Sequence, residues 1–279
     1  MNASMGEQIK IYFGKNSRIF FNEKKYISIF LSTVLLTLMI GMVTGSEMFA
    51  QYSATRNGAF ALVCACIWIG IFNSIQSICK ERATIKEEKR NNGLDLMAYT
   101  LAHVLFDAII CFFEALLVTL IIFLLKKNNI QGESSFPTVT ILKYLFTFFL
   151  VIFSSDVFGL AASAFAVNTE VAMTIMPFLL IVQLLLSGFV FSLDGVMKAL
   201  SNATISKWGL NAICIAADVN HLSVPSDNYI MAALKNDYYD QYNPKSFHLL
   251  RIWLILLLIT VILVLLTRLF ISTVEKDKR

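Results

Sequence analysis

Six stretches of this chain are long and apolar enough to cross a lipid bilayer, and that limits every fold it can adopt. The hydrocarbon core is about 30 Å thick and an α-helix rises about 1.5 Å per residue, so one crossing takes about 20 consecutive apolar residues. The stretches lie at about 26–45, 59–79, 101–125, 139–165, 171–191 and 249–270. Inside hydrocarbon every backbone N–H and C=O must find a partner within the protein, which a helix achieves segment by segment. The sequence therefore predicts an all-α integral membrane protein with six transmembrane helices. Composition agrees: of 279 residues 57% are hydrophobic and 15% charged, against about 25% charged in soluble domains. The first apolar run exceeds the ~7–15-residue core of a cleaved leader and is read as a span. The net charge of +4 is too small to suggest nucleic acid, and five scattered cysteines do not make a disulfide scaffold.

Lysine and arginine in short loops set orientation, because they resist translocation. Segments 1–25, 80–93 and 268–279 hold 14 of the 23 basic residues, whereas loops 46–58 and 126–138 carry only Arg56, Lys126 and Lys127. Both termini are expected inside. The expected organisation is an amphipathic connecting helix at 1–25, spans one to five over 26–191, and an external segment at 192–248. A sixth span at 249–270 and an internal tail at 271–279 complete it. In the first segment Ile9, Tyr12, Phe13, Ile19 and Phe20 share one side, with Lys10, Lys15 and Arg18 elsewhere, which suits a helix lying in the membrane interface. The external segment divides into re-entrant short helices, too short to cross alone, and an aromatic, polar cap.

The loop at 79–94 (CKERATIKEEKRNNGL) is longer than a minimal turn, charged in both signs, and helix-prone up to the stop Asn91-Asn92-Gly93. Such a helix suits docking on a soluble partner; a solvated, positive loop is the alternative. The run Glu81-Arg82-Ala83-Thr84-Ile85-Lys86-Glu87-Glu88, with Gly93-Leu94 and Tyr99 after it, resembles the first cytoplasmic loop of type-2 ABC exporter membrane subunits of the White/PDR, or ABCG-like, class. Phe158-Gly159-Leu160, Asn168, Pro177, Gln183 and Leu186-Ser187-Gly188 are similar to a second block of that family. Ser206-Lys207-Trp208 and Asp218-Val219-Asn220 resemble the external segment of its bacterial branch. The resemblance covers about 75–270, and Glu87 stands where the family usually carries a basic residue.

The resemblance implies a permease subunit with a coupling helix at about 81–93, seated on a nucleotide-binding ATPase subunit that holds ATP and magnesium. Glu81, Arg82, Lys86, Glu87, Glu88 and Arg90 are its implied contacts. The chain carries no GxxxxGK[ST] phosphate loop, so no cofactor is expected in it and it is not expected to be an enzyme. As in that family, two copies, or one copy and a homologous half, are expected to enclose a pathway for an amphipathic or hydrophobic substrate. Phe72, Asn73 and Gln76 of the second span and Met176, Leu180, Gln183 and Leu184 of the fifth would line it. Pro177, Leu186, Ser187 and Gly188 would form a gate. The expected place is a bacterial cytoplasmic membrane.

Ionisable side chains inside a span are costly and point to function. His103, Asp107 and Glu114 lie four and seven apart on one stripe of the third span, and Asp156 lies in the fourth. A polar pathway lining or proton relay is one reading; hydrogen-bonded glue between helices is the other. The relay reading would make the chain a proton-coupled secondary transporter, and a non-transporting membrane anchor is a further alternative. Cys64, Cys66 and Cys111 read as small buried apolar groups, and no metal site is expected. Cys214, alone on the external side, is a candidate cross-link between subunits. The Asn202-Ala203-Thr204 sequon would be glycosylated only in a eukaryotic secretory host.

Overall fold

A computed structural model of the chain describes residues 4–126, 137–224, 229–243 and 246–274. Helix α1 (Met5–Asn22) opens on a capping box in which Ser4 and Glu7 satisfy each other's backbone N–H. Lys24, in the left-handed region at φ 52°, turns the chain directly into α2 (Lys25–Val43). The central pair follows: α3 (Tyr52–Ser74) continues through a short α4 (Ser77–Lys80), and α7 (Pro137–Phe165) lies against it. Between them come α5 (Arg82–Asn92), ended by Gly93 at φ 66°, and the long α6 (Leu96–Lys126). Helix α8 (Thr169–Leu185) starts on the Asn168 side chain, which accepts from the Val171 N–H. Two short helices, α9 (Gly195–Ser201) and α10 (Ile205–Ala216), precede a single 3₁₀ turn at Val219–His221. Helices α11 (Tyr229–Asp237) and α12 (Ser246–Val274) complete the chain.

Small residues decide which helices sit at the centre. A Cβ on Gly70 would strike the α7 backbone at Ile152 and Asp156, and one on Gly159 would strike Ile71 and the Ser74 hydroxyl. The two glycines thus let α3 and α7 approach each other from both sides, the close packing that membrane helices rely on. The Ser74 hydroxyl then donates to the Asp156 carbonyl at 2.5 Å. Helices α6 and α12 flank α7, the latter through Ser154···Thr260 at 2.8 Å and the Trp253 indole donating to Thr147 at 3.1 Å. Helix α2 is peripheral: only 17% of its apolar window is buried, against 67% for α3 and α7.

Five helices are long and apolar enough to span a bilayer: α2, α3 with α4, α6, α7 and α12. The expected fifth span is shorter than the 171–191 read from sequence. Helix α8 ends at Leu185 because Gly188 adopts φ 74° and the Ser187 hydroxyl turns back to the Leu184 carbonyl at 2.7 Å. Its 17 residues cover about 26 Å. It runs unbroken through Pro177, a residue that can break or kink a helix interior.

Helix α1 also departs from expectation. Its apolar side was expected in lipid, but it lies on α6. Tyr12 meets Tyr99 edge-on at 5.5 Å, and Phe13 and Phe20 meet Phe106 at 5.7 and 5.5 Å. Helix α10, 12 residues of mostly buried side chains, is inserted among α3, α7 and α12 rather than lying outside them.

Candidate coupling face and membrane cavity

Charge is densest on α5, and its two sides differ. Glu81, Ile85 and Glu88 fall on one stripe, zero, four and seven residues along, and the stripe faces the rest of the subunit. Lys15 Nζ lies 3.0 Å from Glu81 Oε2, to which the Tyr99 hydroxyl also donates at 2.8 Å. The Tyr12 hydroxyl donates to Glu88 Oε2 at 2.5 Å. Burial first, and then this carboxylate, hold the Tyr12 hydroxyl well above the usual phenol range. Arg82 Nη2 donates to the Ala164 carbonyl at 3.1 Å, which ties the helix to the end of α7. Lys86, Glu87 and Arg90 are exposed on the other side. Of the six residues expected to contact an ATPase, Glu81, Arg82 and Glu88 bond to other helices of the subunit, and Lys86, Glu87 and Arg90 are exposed.

Beside this assembly lies a cavity of about 450 Å³ walled by α1, α2, α3, α4 and α6, with the Asp156 position of α7 and the Met173 position of α8. Phe72, Asn73, Gln76, His103, Asp107 and Asp156 line it, so three residues expected on a substrate pathway share a cavity with three of the intramembrane ionisable groups. The fourth, Glu114, behaves differently. Thr33 donates to one of its oxygens at 2.9 Å and Asn73 to the other at 2.8 Å, so it clasps α2, α3 and α6 together. Four buried side-chain atoms on the cavity wall have no partner among the described residues: Asn16 Nδ2, His103 Nε2, Asp107 Oδ2 and Asp156 Oδ2. Asn16 was not singled out in the sequence. Its signal is a polar residue recurring with Gln8 and Tyr12 at four-residue spacing on an amphipathic helix.

The fifth-span residues take other places. Met176, Leu180 and Gln183 are turned inward and buried, whereas Pro177, Phe178, Ile181, Val182 and Leu185 face outward. Leu184 and Leu186 are half-buried, and Gly188 sits in the turn beyond them. Gln183 does not line the cavity: its side-chain oxygen accepts from the N–H groups of Ile205 and Ser206 at 3.0 and 3.1 Å, capping α10. Ser187 is buried. Cys214 is fully buried in α10, which removes it as a surface cross-link. Among the described residues no cluster of three or more His, Cys, Asp or Glu is arranged to hold a metal.

The segment at 192–248 is anchored by a residue that the sequence reading counted only as a charge. Arg56 lies between the Phe189 and Tyr238 rings, 4.7 and 4.8 Å from their centres, and donates to the Tyr242 hydroxyl at 3.3 Å. Asn220 of the Asp-Val-Asn motif donates to the carbonyls of Tyr239 and Tyr242. The Ser206-Lys207-Trp208 motif closes the α9–α10 turn: Lys207 donates to Ser201 and Asn202, and the Trp208 indole to the Asn202 carbonyl.

Residues 7–216 match the ABC-2 type transporter family. The chain belongs to that family. It is a multi-pass integral membrane protein and the permease component of an ABC transporter, a transport subunit that is not itself catalytic. ABC-2 permeases generally work with an ATPase subunit. No curated protein matches the chain.

Proposed function

We propose that this ABC-2 permease is an exporter subunit of the White/PDR, or ABCG-like, class from a bacterial cytoplasmic membrane, driven by a separate ATPase that docks on α5. ATP and magnesium belong to that partner. A pair of permeases carries an amphipathic substrate outward, and α3 and α8 are the helices that face the second copy. The observation that supports this reading is the two-sided wiring of α5. One face is bonded to α1, α6 and α7, so a push on the other is passed into the bundle rather than absorbed by a loose loop. The exposed Lys86, Glu87 and Arg90 are the partner's contacts.

Co-purification tests it. The permease in mild detergent should bring down an ATPase, and Lys86→Glu with Arg90→Glu should lower recovery at least tenfold without shifting thermal unfolding. Recovery unchanged by the pair of substitutions overturns the assignment of α5. Transport should stop on ATP depletion and persist when the proton gradient is collapsed. The opposite result would replace this reading with proton-coupled transport through Asp107 and Asp156.

A further inference from the structure

The cavity inside the single subunit has a composition that the coupling reading leaves unused. Its walls are largely apolar, with Ile19, Phe20, Phe72, Phe106 and Ile110 among them, and its 450 Å³ falls within the range of small-molecule sites. Three of its charged groups are already satisfied. Lys25 lies 3.0 Å from Glu23, and Glu81 is held by Lys15 and Tyr99. Lys80 is exposed and forms no ion pair with either aspartate. What remains is Asp107 and Asp156, both acidic, each with one oxygen unpartnered, and His103 with an unpartnered ring nitrogen. Asp156 is 1% exposed and His103 6%, so these are buried groups aimed into a void. A buried polar atom without a partner costs about 1–3 kcal/mol, more when charged, so native proteins rarely keep several together without a use for them.

We propose that this cavity binds an amphipathic primary amine, with its ammonium among Asp107, Asp156 and His103 and its hydrocarbon along the phenylalanine wall. An ammonium has three N–H donors, and the site offers three unpartnered atoms able to accept, once His103 Nε2 carries no proton. The charge balance disfavours an anion, since Lys25 is paired with Glu23 and Lys80 is exposed. The Asn16 amide, a buried donor on the wall without a partner, suits a hydroxyl or carbonyl next to the amine. The site stands whatever motor drives the chain, because its walls come from one subunit.

The test uses the isolated permease in neutral maltoside detergent, without ATPase, titrated with decylammonium, decanol and decyl sulfate. Decylammonium should bind saturably and at least tenfold more tightly than decanol, and decyl sulfate should not compete. Asp107→Asn and Asp156→Asn should each weaken decylammonium at least tenfold and leave decanol unchanged. Where a variant fails to fold, the unmodified protein still answers: decylammonium, and not decyl sulfate, should protect Asp107 and Asp156 from a hydrophobic carbodiimide, read by mass spectrometry. Equal affinity for decanol and decylammonium would make the cavity a greasy void. Preference for decyl sulfate would make it an anion site, and no saturable binding a water-filled gap. Each of these overturns the proposal, and none depends on whether α5 captures an ATPase.

Discussion

Glu114 and Asp156 show how two carboxyl groups within the same bundle take opposite roles through their neighbours alone. Thr33 and Asn73 reach Glu114 from two other helices, so its removal undoes two bonds and leaves the Asn73 amide without its acceptor. Glu114→Leu should therefore cost about 2–3 kcal/mol, seen as a lower thermal midpoint in detergent. Asp156→Asn removes no bond from the carboxyl oxygen that has no partner, and its midpoint should stay within about 0.5 kcal/mol of the parent. Spacing alone shows His103, Asp107 and Glu114 on one stripe of α6. It does not show which of them meets a partner, because Thr33, Asn73 and Asn16 come from helices distant in the chain. Arg56 was hidden for the same reason: an arginine in a short loop scores as an orientation signal, whereas its two ring partners lie more than a hundred residues away.

At the scale of single helices, α5 and α8 mark the range of what patterning can tell. The charged run and the Asn91-Asn92-Gly93 stop specify α5 without help from the rest of the chain, and Gly93 does adopt the left-handed cap that they require. Helix α8 is apolar on most sides, so its pattern does not say which side turns inward. Met176, Leu180 and Gln183 share a face, and in the fold that face meets the bundle. Gln183 is the informative case. A lone polar side chain in an apolar span suggests a pathway, yet its oxygen meets the two N–H groups at the start of α10, which a buried helix end cannot leave bare. Gln183→Leu should loosen α10 at a cost of about 1–3 kcal/mol. The sensitive readout is Cys214, which should resist a maleimide in the parent and react in the variant. A thiol equally protected in both would remove the cap from this account.

For the molecule as a whole, the apolar runs predict a helical membrane bundle and the fold agrees for five long helices, with α8 short. The order of assembly was not readable, because it rests on contacts between small residues far apart in sequence. Gly70 and Gly159 bring α3 and α7 to the centre, and neither looks special within its own span. The lysine and arginine bias carries the proposed orientation, with α1 and α5 on one side of the membrane and the Ser223 region on the other. In a cysteine-free background, an impermeant maleimide added to intact bacterial cells should label Ser223→Cys and leave Lys10→Cys and Lys86→Cys unmodified until the membrane is opened. Labelling all three from outside would reverse or break the arrangement.

One joint has a mechanical outcome. Tyr12 fastens α1 to Glu88, and Asn16 and Phe20 follow it at one-turn intervals on the same rod, where they form part of the chamber wall. Under the proposed docking on α5, a load that shifts Glu88 would be passed along this rod to the chamber wall.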